Sequence, residues 1–214
     1  MIKGFDANKD LSIYSICLLE NGYKFVCRYY NTNNPSKNLT VAEANFLSSI
    51  GISIVAVWEN GNPTASTYFS YAKGMVDGAA AYEYAINTIG QPGSTPIYFA
   101  VDYDATEVEV DGVITAYFKG LTDSFKQISN NHPKYSIGAY GSGLVCKNLK
   151  KDGLVTHTWL AQSTGWRESR MYKDYNIKQL AEKAECIDSG VVKGDVNESP
   201  DGKEGSFKVG HLTS

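Results

Sequence analysis

An α/β fold built as a single closed barrel is what this sequence predicts, and three observations predict it. Eight short apolar or aromatic runs read as strands, at about 4–7, 24–30, 52–58, 96–102, 135–140, 157–162, 176–181 and 191–196. Most are apolar throughout rather than alternating, the mark of strands covered on both faces, and helical patterns separate the first six. Polar and acidic residues collect where these runs stop, as they do where parallel strands open onto one working end. Together these describe a (β/α)8 TIM-like barrel. It should be irregular, with reduced helices in the C-terminal third, because amphipathic helical patterns are missing or very short between 165 and 190.

The elements follow in order. Gly4-Phe5-Asp6 is a short strand that ends on an acid, and Leu11 to Asn21 is a short helix closed by Asn21-Gly22. The strand KFVCRYYN ends near Arg28 and Tyr30. Thr40-Val41-Ala42-Glu43 forms a capping box for a helix to Ser49. The strand ISIVAVWEN ends on Glu59, and after a loop rich in Gly, Pro, Ser and Thr a long helix covers about 71–89. Pro96 opens the run Ile97 to Val101, which stops on Asp102 and Asp104. An apolar stripe of Val110, Val113, Ile114, Tyr117, Leu121, Phe125 and Ile128 marks the helix 107–129. YSIGAYGS, a short helix through Lys150, THTWLAQST and two last strands complete the barrel, which is expected to occupy 1–198. Residues 199–214 read as a polar, loosely held tail.

Composition excludes several functions. The chain has 214 residues, enough for one sizeable core, and its net charge of −3 gives no electrostatic case for nucleic acid or an anionic membrane. No run is long enough to span a bilayer. The start MIKGFDANKD lacks a basic-then-apolar export segment, so either another route carries the chain out or it stays inside until lysis. A glycine fingerprint of the GxGxxG type and a GxxxxGK[ST] loop are both absent, which argues against dinucleotides and nucleotides as cofactors. Cys17, Cys27, Cys146 and Cys186 have no metal-ligand spacing and read as reduced, buried thiols. His132, His157 and His211 lie apart from them, so neither zinc nor another cofactor is expected.

Collecting the strand-end positions gives the candidate site. Asp6, Glu59, Asp102, Asp104 and Asp195 supply carboxylates. Arg28, Tyr30, Tyr140, Gln162, Gln179 and Asn197 supply groups able to hold substrate hydroxyls. Tyr140, Trp159 and Trp166 are candidates for stacking on a sugar. Two acids spaced i,i+2 at a strand end point the same way and crowd their charges, which raises the proton affinity of at least one. Gly141-Ser142-Gly143 is no nucleophile elbow, and no Ser/His/Asp grouping is present. Converged carboxylates instead suit glycoside hydrolysis, in which one donates a proton and another stays ionised. A site for a hard cation such as Mg²⁺ or Ca²⁺ is the other use of such a cluster.

Gly4-Phe5-Asp6-Ala7-Asn8, Trp58-Glu59, Pro96 through Asp104, Gly138 through Ser142, Thr158 through Gln162 and Gly194 through Asn197 form an ordered set covering residues 3–198. In that order they resemble the glycoside-hydrolase-like domain family known as domain of unknown function 1906, which is similar to the family-25 lysozymes. The resemblance implies a groove across the strand ends and activity on the glycan strand of bacterial peptidoglycan; a monomer is expected. It places Asp104 where those lysozymes carry a general-acid Glu, with Asp102 stabilising the transition state and Asp6 and Asp195 holding the network. Asp104 is one methylene shorter than that Glu, so Glu59 is the alternative proton source and loss of activity the other outcome. A non-catalytic glycan-binding domain is the competing expectation.

Overall fold

The computed structural model describes residues 1–188, 190–200 and 202–210; His211 lies outside them. Eight strands close a barrel in sequence order: β1 (Ile2–Asp6), β2 (Tyr23–Tyr30), β3 (Ser53–Trp58), β4 (Pro96–Ala100), β5 (Ser136–Gly141), β6 (His157–Leu160), β7 (Ile177–Ile187) and β8 (Val191–Ser199). Helices α1 (Ser15–Glu20), α2 (Val41–Ser49), α3 (Tyr71–Glu83), α4 (Glu107–Glu109), α5 (Thr115–Ile128) and α6 (Gly143–Lys151) pack outside. Among the described residues no helix joins β6 to β7 or β7 to β8, so the irregular C-terminal third is present as expected.

The expectation of a uniformly parallel sheet is corrected at β8. Strands β1 to β7 pair in parallel, but β8 is antiparallel to both β7 and β1. It therefore enters the barrel from the mouth and leaves through the floor. Asp195 faces Asp6 across the β1–β8 ladder and reaches the mouth from the incoming half of its strand, while Asn197, opposite Gly4, sits one inward layer deeper. A parallel β8 would have needed a crossover helix of a dozen or more residues, for which the sequence has no room.

Inward and outward faces are set by the strand alternation. Phe25, Cys27, Val55, Val57, Tyr98, Trp159 and Ile177 fill the barrel interior. Val26, Ile54, Ala56, Ile97, Phe99 and Val101 face the helices. Two inward positions must be glycine: a Cβ on Gly4 would come within 2.2 Å of the Phe25 ring, and one on Gly138 within 2.7 Å of Tyr98. Large rings fill the lower barrel because their neighbours are bare, and that packing raises the cavity floor toward the mouth.

Two further expectations are corrected. Cys17 and Cys186 are not reduced thiols but a disulfide across 169 positions, whereas Cys27 and Cys146 are free and buried. The pairing exists because β7 and β8 run past the barrel as a long hairpin that reaches α1. The tail is also less loose than its composition suggests. Phe207 is buried and exchanges two main-chain hydrogen bonds with Ile54, at 2.7 and 2.8 Å. The Tyr98 hydroxyl donates to the Glu204 carbonyl at 2.9 Å, so this segment covers the barrel end opposite the mouth.

Candidate active site

A cavity of about 270 Å³ opens at the mouth, lined by Asp6, Tyr29, Val57, Glu59, Ala100, Asp102, Tyr140, Trp159, Gln162, Gln179 and Asp195. Seven of the eleven residues expected at the site from sequence are in this wall: Asp6, Glu59, Asp102, Tyr140, Gln162, Gln179 and Asp195. Asn197 lies just beneath them. Arg28, Tyr30 and Asp104 do not line it.

Asp6 is the centre of the arrangement. It is 5 % exposed, and its Oδ2 accepts from Asn197 Nδ2 at 2.7 Å and from Gln179 Nε2 at 3.1 Å. The orientation of both amides is fixed by donors that cannot accept. The Trp159 indole N–H donates to Asn197 Oδ1 at 2.9 Å, and the Gln162 main-chain N–H approaches Gln179 Oε1 at 3.4 Å, where the Tyr140 hydroxyl also donates. Both amide nitrogens are thereby turned toward the carboxyl. With Oδ2 occupied by two N–H donors, the proton of the neutral acid belongs on Oδ1. Burial pushes this carboxyl up to about 7, opposed by the Asn197 hydrogen bond and reinforced by the neighbouring charge of Asp195.

The other acids differ in their surroundings. Asp195 accepts from Lys183 Nζ and from Gln179 Nε2 at 3.3 Å. Glu59 is paired with Lys37 at 3.3 Å, yet burial outweighs that cation and raises its carboxyl, as it does the carboxyl of Asp102. Asp102 has no hydrogen-bond partner for its carboxylate among the described residues and faces the cavity from β4, in phase with the inward Tyr98 and Ala100. An acid that holds its proton toward neutrality beside ion-paired carboxylates is the combination that proton donation to a leaving oxygen requires. Among the described residues no group of three or more His, Cys, Asp and Glu side chains is arranged to hold a metal ion.

Three expected site residues are placed elsewhere, each for a local reason. The strand ends at Ala100 and the chain bends at Tyr103, so the i,i+2 alternation is lost before Asp104. Tyr103 stacks on Phe69, at 6.1 Å between centroids. Asp104 turns to the 163–171 loop, where it accepts from Arg167 N at 2.8 Å and from Arg167 Nη1 at 2.7 Å. Arg28 and Tyr30 have the outward phase of β2. Arg28 forms a fully buried pair with Glu43 on α2, at 2.6 and 3.1 Å, and donates to the Ala7 carbonyl. Tyr30 donates to Gln91 at 2.9 Å.

The inward residue between them, Tyr29, was missed. Phe25, Cys27 and Tyr29 are no more polar than Val26 and Tyr30, so composition leaves the phase of β2 open. Only Arg28, which has a carboxylate in the next helix to pair with, offered a hint. Of the aromatic candidates, Tyr140 and Trp159 line the cavity edge to face, at 5.1 Å and 77°, while Trp166 lies in the 163–171 loop outside it.

The Arg167–Asp104 contact is partly exposed, and such pairs contribute about 1 kcal/mol or less. Asp104→Asn keeps an acceptor for Arg167 N. It is expected to shift a urea unfolding midpoint only marginally, whereas a large loss would mean that the 163–171 loop depends on this anchor.

Comparison with known proteins agrees with this architecture. The chain is 34 % identical over 158 residues to protein YbfG of Bacillus subtilis strain 168, covering 70 % of this chain and 21 % of that protein. It thus spans about a fifth of that relative's length. The Tat-secreted protein Rv2525c of Mycobacterium tuberculosis, solved with L-tartrate, superposes with a TM-score of 0.75 at 20 % identity, over 96 % of this chain and 97 % of that one. A muramidase from Acremonium alcalophilum superposes with a TM-score of 0.56 at 15 % identity, over 94 % of each chain. At such identities the two structures bear on fold alone. The family profile for the Rv2525c-like, glycoside hydrolase-like domain matches residues 17–198, which is most of the barrel, and the chain belongs to that family.

Proposed function

We propose that this domain is a glycoside hydrolase acting on the glycan strand of bacterial peptidoglycan by carboxylate acid catalysis. One observation carries the reading: Asp6, buried with only its Oδ2 hydrogen-bonded among the described residues and its carboxyl raised by burial, lines a cavity walled by three further carboxylates. In this reading Asp6 Oδ1 protonates the glycosidic oxygen. Asp102, just beyond the end of β4 and three strands round the barrel from β1, stabilises the positive charge that develops at the sugar carbon. Asp195 and Glu59, each beside a lysine, hold the field and substrate hydroxyls. The acid role expected of Asp104 passes to Asp6, because Asp104 is committed to Arg167. The kinship in fold with a muramidase supports a glycan as substrate.

The Cys17–Cys186 disulfide favours an oxidising compartment, and Rv2525c is itself a Tat-secreted protein. We accordingly place the site of action outside the cytoplasm. A non-catalytic glycan-binding domain is the second reading. What favours it is that Asp104, Glu59 and Asp195 are all engaged by cations.

Release of reducing sugar from purified peptidoglycan separates the two. Hydrolysis by the wild type, with loss in Asp102→Asn and little change in Asp104→Asn, is the expected result. Retention on cell walls with no sugar released would leave only the binding reading.

A further inference from the structure

Tyr29 has no part in the acid chemistry above, yet it lines the cavity. Its ring faces inward from β2, between the strands that carry Asp6 and Glu59. Lys37 Nζ lies 5.4 Å from the ring centroid and is tied to Glu59, while the Tyr29 carbonyl accepts from Leu39 N at 3.0 Å. Ring and backbone are both fixed before any ligand arrives.

Its hydroxyl has no hydrogen-bond partner among the described residues. Tyr140, by contrast, uses its hydroxyl on Gln179. Burial, with Asp6 and Glu59 nearby, pushes the Tyr29 phenol well above its usual range, so it stays an O–H donor. Two other donors in the wall are taken, the Trp159 indole by Asn197 and the Gln179 amide by Asp6 and Asp195, so the Tyr29 hydroxyl is one of few left for a ligand, with the Gln162 amide and the Asp6 proton. A ligand entering the cavity therefore meets mainly carboxylate and amide oxygens and only a few free donors. Sugar hydroxyls suit such a surface because they can donate. An oxygen that only accepts, such as an amide carbonyl, is disfavoured everywhere except beside a neutral donor.

We propose that Tyr29 is a specificity-determining residue whose hydroxyl donates to the carbonyl oxygen of an N-acetyl group on the bound sugar, so that the cavity selects N-acetylated over unsubstituted hexose units. The inference rests on the glycan-directed reading of the site but not on turnover. A cavity built to donate to a carbonyl loses that bond with a sugar lacking it, and a single neutral hydrogen bond is worth roughly a tenfold change in affinity.

The test uses two neutral oligosaccharides that differ at this substituent, chitotetraose and cellotetraose. Calorimetric titration should show the wild type binding chitotetraose about tenfold more tightly. Tyr29→Phe should lose most of that preference while keeping its affinity for cellotetraose and its thermal unfolding midpoint. Equal affinities in the wild type, a preference that survives in Tyr29→Phe, or no binding of either sugar would each overturn the proposal. Sugar release from peptidoglycan is measured in parallel. A wild type that prefers chitotetraose but releases nothing refutes the hydrolase reading and leaves this one standing. Hydrolysis without the preference does the reverse.

Discussion

Asp6→Asn is expected to cut sugar release at least about a hundredfold and, at alkaline pH, to make the protein more stable. The two effects have one cause. Asp6 is buried, and its carboxyl is pushed from 3.8 up to about 7. Between those values the folded protein keeps a proton that the unfolded chain has lost. The stabilisation is therefore complete below about pH 4 and disappears as pH rises through 7, at a cumulative cost on the order of 4 kcal/mol. Asparagine mimics the neutral acid. Its carbonyl oxygen can take the place of Oδ2 and accept from Asn197 and Gln179, and its amide faces the cavity without a charge. The variant should unfold at higher urea concentration than the wild type at pH 8, and the difference should shrink toward pH 5. Glu59 and Asp102 are raised in the same direction and will leave part of the slope in place. With no proton to give, hydrolysis should fall by roughly 10²- to 10⁴-fold. Wild-type activity should decline as pH rises through about 7, where Asp6 ionises. An active Asp6→Asn enzyme, or one destabilised at pH 8, would remove Asp6 from the proposed role.

The second large effect concerns the disulfide. Cys17 on α1 and Cys186 near the end of β7 close a loop of 169 positions. Restricting an unfolded chain over that distance stabilises the fold by up to about 5 kcal/mol. The Cys17→Ser/Cys186→Ser double variant should lose about 2–5 kcal/mol, read from urea unfolding without reductant. The loss should be local as well as global. The bridge lies on the part of the β7–β8 hairpin that projects beyond the barrel, and the same hairpin carries both Lys183 and Asp195. Amide exchange should accelerate first across residues 181–187 and 191–194, ahead of the parallel strands. Wild type and double variant unfolding at the same urea concentration would show that the bridge contributes nothing.

Most of the fold was legible in the sequence because it depends on patterns that neighbouring residues carry together. Continuous apolar runs opened by Pro96 or closed by Glu59 give buried strands, and Thr40-Val41-Ala42-Glu43 starts a helix by its own chemistry. Such signals need no knowledge of the rest of the chain. The cavity acids Asp6, Glu59, Asp102 and Asp195 were legible for the same reason, since each ends or enters a strand whose phase is fixed by the residues around it.

Tertiary structure decided the rest. The direction of β8 follows from the lack of room for a crossover, and it moved Asn197 from the mouth to the layer below. The phase of β2 depended on where Arg28 could find Glu43, since a buried guanidinium needs a carboxylate. That choice exchanged Arg28 and Tyr30 for Tyr29 at the cavity. A single bend at Tyr103, held by stacking on Phe69, turned Asp104 toward Arg167. The Cys17–Cys186 pairing joins residues far apart in the chain, through a hairpin whose length no local pattern shows. The sequence by itself determined which residues form strands and that acids gather at their ends. That Asp6 is raised was decided by burial, and which of its oxygens is left for the proton was decided by two amides, on Asn197 and Gln179, that only the closed barrel brings against it.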